Sequence, residues 1–276
     1  MSAVSGKLSP RGYETGDKIM KERDFHLILQ GILDVGEELM VAGGEIYRVE
    51  DSVIRMCRAY GAKFDRVNVF IITSNIQVTV EAPDGQIITQ IRRILRNDVN
   101  FERLAELNDL CRRLCAEVPD VEVLQKELNE VLDKPDQSWI LKFLGGILSA
   151  SFFAIFFGGC MEDAIAAGIV AVPVVLLQNK SKLKNDNKIV FTLYLSLITG
   201  ILSHVIMFMG IGNNEDYIMI GEIMLLIPGI ALTNSARDIL MGDTASGLLR
   251  FADSLINAIA IACGFALSML LLGGLL

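Results

Sequence analysis

Polar and apolar positions divide this chain into two unlike halves. From Met1 to Ser138 the sequence is rich in Asp, Glu, Lys and Arg; from Trp139 onward it is mostly apolar, with charges confined to short gaps. A membrane-spanning helix needs about 20 largely apolar residues, because the hydrocarbon core is about 30 Å thick. Five segments approach that length: 139–159, 160–177, 189–212, 217–234 and 251–276. A soluble helical bundle would show a polar face every 3.6 residues, and these segments mostly do not. The pattern predicts a membrane protein, mainly α, with a small α+β domain over 23–138 followed by a bundle of about five transmembrane helices over 139–276.

In the polar half the periodicity changes twice. Residues 24–61 read as two helices broken at Gly43-Gly44. Ile46, Val49, Val53, Cys57 and Tyr60 form one apolar stripe, and Arg48, Asp51, Arg55 and Arg58 face elsewhere. Gly61 fits a helix stop. The period then shortens to two. Residues 67–73 are β-branched and apolar; Ile76, Val78 and Val80 alternate with Gln77, Thr79 and Glu81. Pro83-Asp84-Gly85 is a hairpin signal, after which Ile87, Thr89 and Ile91 continue the alternation. The expectation is a sheet of about three strands with helices on one face. Asn100 can cap a helix carrying Leu104, Leu107, Cys111 and Leu114, and Pro119-Asp120 opens another reaching Leu132. Lys134-Pro135-Asp136 then leads to the membrane. The first 22 residues lack the apolar core of a secretory signal and read as a mobile tail.

Charge sets the orientation. Lys180, Lys182, Lys184 and Lys188 fall between segments two and three, and Arg237 and Arg250 between segments four and five. The other two gaps carry only acids, Glu162 and Asp163, then Glu215 and Asp216. With five spans every basic residue of this half lies on the side of the N-terminal domain, which the positive-inside rule makes the cytoplasm. Leu276 then lies outside a multi-pass plasma-membrane protein. The net charge of −8 and the lack of a basic stripe argue against nucleic acid as a partner.

Candidate chemistry is sparse. Cys111 and Cys115 lie one helical turn apart and need two further ligands to hold zinc, but the two histidines, His26 and His204, are distant in the chain. Buried or half-buried thiols in a reducing compartment are the simpler account of the five cysteines. No nucleophile triad, phosphate loop or metal-spaced cluster occurs in the polar half, so neither catalysis nor a cofactor is expected. Ser196, Gly200 and His204 share one helix face, suited to close helix packing or, with His204, to carrying a proton.

The most informative stretch runs from Gly221 to Arg250, GEIMLLIPGIALTNSARDILMGDTASGLLR. Glu222 is a carboxylate in an apolar segment, expensive unless it is neutralised, paired or in reach of outer water. Pro228-Gly229 interrupts the fourth span, either as a structural kink or as a break whose freed carbonyls bind a substrate. Thr233 and Asn234 follow, with Glu222, Leu226, Gly229 and Thr233 on one face if the helix runs straight. Arg237, Asp238, Asp243 and Ser246 come next, then Arg250, Asp253 and Asn257 at one-turn spacings. These side chains line a polar route through two consecutive helices, or their charges are interfacial and fix the loop. In the second reading Arg250 merely neutralises Asp253.

The stretch LLIPGIALTNSARDILMGDTASGLLR resembles the signature of the threonine/serine exporter family. So do AGGEIYRVEDSVIRMCRAYG, from Ala42 to Gly61, and the strand region before NFERLAELNDLCRRL, from Asn100 to Leu114. The likeness runs in order over nearly the whole chain from about Asp24. It implies proton-driven export of threonine and serine, or of dicarboxylates such as succinate in some relatives. Long members carry a second membrane half, which the resemblance to split members assigns here to a separate small membrane protein. A homo-oligomer is the alternative assembly. The resemblance supplies no set of binding residues, so the twelve candidates stand on the physical argument. A membrane-anchored regulator with a ligand-sensing cytoplasmic domain is the rival function. An intramembrane enzyme would need HExxH, paired aspartates or a Ser/His pair, none of which the sequence contains.

Overall fold

A computed structural model describes residues 22–96, 98–135, 137–180 and 187–272. The N-terminal unit begins with α1 (Glu22–Val41) and α2 (Ile46–Ala59), followed by the antiparallel meander β1 (Val67–Ile72), β2 (Asn75–Glu81) and β3 (Ile87–Arg93). Two more helices, α3 (Phe101–Glu117) and α4 (Val121–Leu132), close it. The apolar stripe of α2 faces inward, with Ile46, Val49, Val53, Met56 and Cys57 all buried against Leu29, Ile32 and Leu33 of α1 and the inner face of the sheet. Asn100 caps α3 by accepting the Arg103 N–H at 3.0 Å. Burial pushes the Cys57 and Cys111 thiols up to about 12, so both remain uncharged at neutral pH.

The third strand departs from the alternation expected of it. The register pairs Val80 with Ile88 and Glu81 with Ile87, which puts Ile88 on the core face and Ile87, Thr89 and Ile91 on the outer one. Ile87 and Ile91 are exposed while Ile88 is buried. The turn at Ala82–Gln86 decides this: Ala82 N–H donates to Gln86 O at 2.8 Å, which sets the partner of every later residue, and in a strand a shift of one residue exchanges the faces.

Every described secondary-structure element of the second half is a helix. It comprises α5 (Trp139–Phe156), α6 (Met161–Lys180), α7 (Lys188–Phe208), α8 (Glu215–Leu226), α9 (Gly229–Met241) and α10 (Thr244–Leu272). Four of these helices are long and apolar enough to cross a bilayer; α8 and α9 qualify together as a fifth span, bent by 57°. The outward faces carry large apolar side chains, among them Leu148, Phe152 and Phe156 of α5 and Leu255, Ile259 and Leu270 of α10. Such continuous apolar surface belongs against lipid or another membrane segment rather than water. The chain is thus a mainly α multi-pass membrane protein with a small three-stranded α+β unit at its N-terminal side. Segments four and five differ from the sequence expectation. The fourth does not end at Asn234 but continues as α9 to Met241, and the fifth starts at Thr244 rather than 251. Lys182 and Lys184 of the basic gap, and Leu276, lie outside the described residues.

Small residues let these helices touch. Ala150, Ala154, Ala166, Ala167 and Ala171 are fully buried between α5, α6 and α8. A Cβ on Gly221 would lie 2.6 Å from Ala150 O. Helices α7 and α10 cross where Gly264 faces Ser196 and Gly200 faces Ser268; a Cβ on Gly264 would stand 2.7 Å from Leu193 O. The Ser196, Thr199 and Ser203 hydroxyls are satisfied by carbonyls of their own helix, which leaves backbone approach as the reason for this face.

That geometry separates two glycine substitutions. Gly264→Ala meets backbone that cannot yield and should cost about 1–3 kcal/mol. Gly145→Ala on α5 meets nothing within 4 Å and should be neutral or stabilising by up to about 1 kcal/mol. Thermal unfolding of the two variants in detergent measures the difference.

Candidate functional site

The break in the fourth span is an inverse γ-turn centred on Pro228, whose φ and ψ are −78° and 56°. Gly229 N–H turns to Ile227 O at 2.9 Å. Pro228 itself has no N–H to offer Met224 O. The helical ladder is therefore cut, and α9 starts in a new direction, with Ile230 near its amino end bordering cavities shared with the N-terminal unit. The bend removes the single face expected of Glu222, Leu226, Gly229 and Thr233, because the axis turns between the second and third of them.

Glu222 stays behind on α8. It is fully buried, and both carboxylate oxygens lack a hydrogen-bond partner among the described residues. It does not reach outer water. At the far end of α8, Glu215 lies against His204 Nδ1, a contact that is ionic only when the imidazole carries a proton. There the Asp163 carboxylate accepts the N–H groups of Cys160, Asn213 and Asn214 at 2.6–2.9 Å. This end of the bundle is cross-braced by acids that complete loop and helix N-termini.

Beyond the break the candidates gather against the N-terminal unit. Thr233 is exposed, and its hydroxyl turns back to Gly229 O at 3.0 Å. Asn234 Nδ2 donates to Gly43 O at 3.4 Å, and Arg237 pairs with Glu45. Asp238, 2% exposed, has its carboxylate near the Ile46 N–H and lies 3.4 Å from Arg250 Nη1. Ser246 is buried and donates to Ile71 O at 3.0 Å. Asp243 opens α10 by accepting Gly247 N–H at 2.9 Å. Burial and then the Asp243 charge raise the pKa of Glu50 across the junction. Asn257 donates to Asp253 O at 2.9 Å, while Asp253 is exposed and its carboxylate has no partner among the described residues. The expected pairing of Arg250 with Asp253 is therefore replaced by Arg250 with Asp238. On one helix Asp253 lies beyond Arg250, whereas the α9–α10 hairpin brings Asp238 alongside it.

That hairpin is tight. Gly242 has φ +103°, and Asp243 N–H reaches back to Asp238 O at 2.9 Å, which ends α9 in a Schellman turn. A Cβ on Gly247 would lie 2.8 Å from Ser235 O. Gly242 and Gly247 thus hold α9 and α10 against each other.

Two cavities flank the Gly43–Asn234 contact. One, of about 110 Å³, is bordered by Glu45, Arg48, Asn108 and Asn234. The other, of about 200 Å³, is bordered by Thr73, Ser74, Arg96, Asn234, Arg250 and Asp253, with apolar sides from Met40, Val99 and Ile230. Sequence reasoning missed the contributors from the N-terminal unit, Gly43 to Ile46, Thr73, Ser74 and Arg96. The one signal available was the Gly43-Gly44 pair. Gly43 has φ +95°, and a Cβ on Gly44 would sit 2.7 Å from Leu39 O, so the pair makes a turn that other residues would strain.

A broken span beside a polar cavity, within a bundle of otherwise apolar helices, is the architecture of a membrane transporter. The chain belongs to the threonine/serine exporter family, whose model matches residues 30–272. It is 22% identical over 240 residues to the "Threonine/serine exporter" of Corynebacterium glutamicum, a match covering 85% of this chain and 49% of that relative. The chain therefore spans about half the length of this curated relative. No solved structure matches it.

The two ion pairs at the junction should differ in weight. Arg250→Ala leaves Asp238 buried beside a single N–H and should destabilise the full chain by about 3–5 kcal/mol. Arg237→Ala removes a pair more than half exposed on the arginine side and should cost less than about 1 kcal/mol. Denaturant unfolding in detergent, followed by intrinsic fluorescence, reports both.

Proposed function

We propose that this chain is one subunit of a secondary exporter for threonine and serine, or a related small carboxylic acid, working by alternating access around the Pro228 break. The observation that carries this reading is the bent α8–α9 pair, which turns the amino end of α9 toward a polar cavity. A broken helix inside a membrane is tolerated where protein, water or substrate satisfies the released backbone groups. Its N-terminal amides and the helix dipole favour a carboxylate. Arg250 supplies further N–H donors, and Asn234 both donates and accepts.

Export against a gradient needs an energy source, and protons are the simplest one for this group set. Glu222 is the first candidate carrier, since a buried carboxyl without a partner has strong reason to exchange a proton rather than hold a fixed charge. Asp253, unpaired at the cavity, is the second. The N-terminal unit is assigned to the cytoplasm by the lysines and arginines that follow segments two and four, and the α7–α8 turn to the outside. The family match over half of a longer relative fits a split transporter whose other membrane half is a separate small protein.

Three measurements test this reading. Everted membrane vesicles carrying Pro228→Ala should hold normal amounts of protein yet lose most threonine flux, because the variant restores a donor and straightens the span. Parental flux at matched protein levels would reduce the break to a structural hinge. The purified chain alone in liposomes should show little flux and gain it with a co-reconstituted small membrane partner; full activity alone would instead indicate a homo-oligomer. Membrane-impermeant thiol reagents added to intact cells should label a cysteine placed at Asn213 but not one placed at Lys184. The opposite pattern would invert the topology.

A further inference from the structure

The cavity of about 200 Å³ is built from four parts of the chain: the end of α1 with the turn after it, the β1–β2 hairpin tip, the segment after β3 and the α9–α10 pair. It falls short of the about 300–1,000 Å³ typical of sites for drug-sized ligands, so its natural occupant has few heavy atoms. Its charges are unevenly satisfied. Arg96 pairs with Glu38 and Arg250 with Asp238. Arg96 Nη2 also lies 4.0 Å from Glu37; a guanidinium has five N–H donors and each arginine engages its partners through one terminal nitrogen, so both arginines bordering the cavity keep uncommitted donors. Asp253 is the reverse case, a carboxylate with no partner among the described residues. The Thr73 and Ser74 hydroxyls and Asn234 Oδ1 are likewise uncommitted among the described residues.

One class of small molecule answers each of these groups. An ammonium group satisfies Asp253, a carboxylate takes the spare guanidinium donors, and a hydroxyl exchanges hydrogen bonds with Thr73, Ser74 or Asn234. A dicarboxylate fits poorly, because its second carboxylate meets the Asp253 charge or leaves it unmatched, and like charges brought together discriminate strongly against a ligand. We propose that this cavity is the loading site for a small zwitterionic hydroxy amino acid. In this site the N-terminal unit's Thr73, Ser74 and Arg96 form one wall, and Asp253 selects the ammonium group against dicarboxylates. The proposal rests on the exporter reading above and adds to it a location, a polarity and a role for the N-terminal unit.

The test is uptake of radiolabelled L-threonine by everted vesicles from cells expressing the full chain with its native neighbours, with succinate as competitor. The parent should take up threonine and resist succinate. Asp253→Asn should raise the half-saturating threonine concentration roughly tenfold or more, as expected for loss of a charged hydrogen bond, and should make uptake sensitive to succinate. That change of preference would not follow from a role for Asp253 in proton coupling alone. Ser74→Phe, at an exposed hairpin tip where folding tolerates change, should obstruct the site and raise the half-saturating concentration by a similar factor. Parental half-saturation and parental succinate resistance in both variants would overturn the cavity proposal while leaving the exporter reading intact. Absence of threonine uptake by the parent would overturn the exporter reading itself, and the ligand assigned here with it.

Discussion

The contact on which the arrangement turns is the meeting of α9 with the start of α2, where Arg237 pairs with Glu45 and the buried Asp238 carboxylate lies near the first amides. The first amides of α2 have no partner within their helix, and Glu45 at the cap position makes no side-chain cap bond. The Asp238 carboxylate of α9 lies near the Ile46 N–H, and Glu45 pairs with Arg237. A carboxylate at a helix N-terminus gains from the macrodipole. The N-terminal unit is thereby fastened to the second half of the broken span rather than merely tethered by the segment before α5.

This fastening has consequences on both sides. Gly43 and Gly44 make the turn that brings the start of α2 up to α9, and Gly43 O accepts from Asn234. On the other side, the Schellman turn at Gly242 and the close approach at Gly247 press α10 against α9, so Arg250 can complete Asp238. Ser246 extends the seam to the sheet through Ile71 O. A movement of α9 during transport would have to carry α10 and load or release the N-terminal unit.

Much of the architecture was legible in the sequence because it rests on local rules. The alternation in β2, the Asn100 cap, the stripe on α2 and the length of the apolar segments each depend on residues close together in the chain. The break at Pro228-Gly229 was visible for the same reason, since proline acts on its own turn. Contacts between distant segments were not visible. Asp238 looked like an interfacial charge because its neighbour Ile46 lies on a different helix, far away in sequence, and a backbone amide leaves no mark on side-chain patterning. Arg250 was read against Asp253 because spacing on one helix is all that periodicity reveals. Ile87 and Ile91 were read with the alternation of β2, although the turn before them sets which face they take. Glu222 lay in plain view as a lone acid in an apolar run, but whether it met water depended on how tightly Gly221 draws α8 onto α5.

The proposed transport cycle requires the seam between the N-terminal unit and α9 to loosen as substrate passes. It is tested most directly by cross-linking Glu45→Cys to Arg237→Cys in native membranes, in a background without the exposed Cys263. The account predicts that a cleavable bifunctional thiol reagent, long enough to replace the two side chains, bridges the pair, that threonine flux then falls sharply, and that cleaving the bridge restores it. Failure of two accessible thiols to join, or joining with flux unchanged, would contradict it.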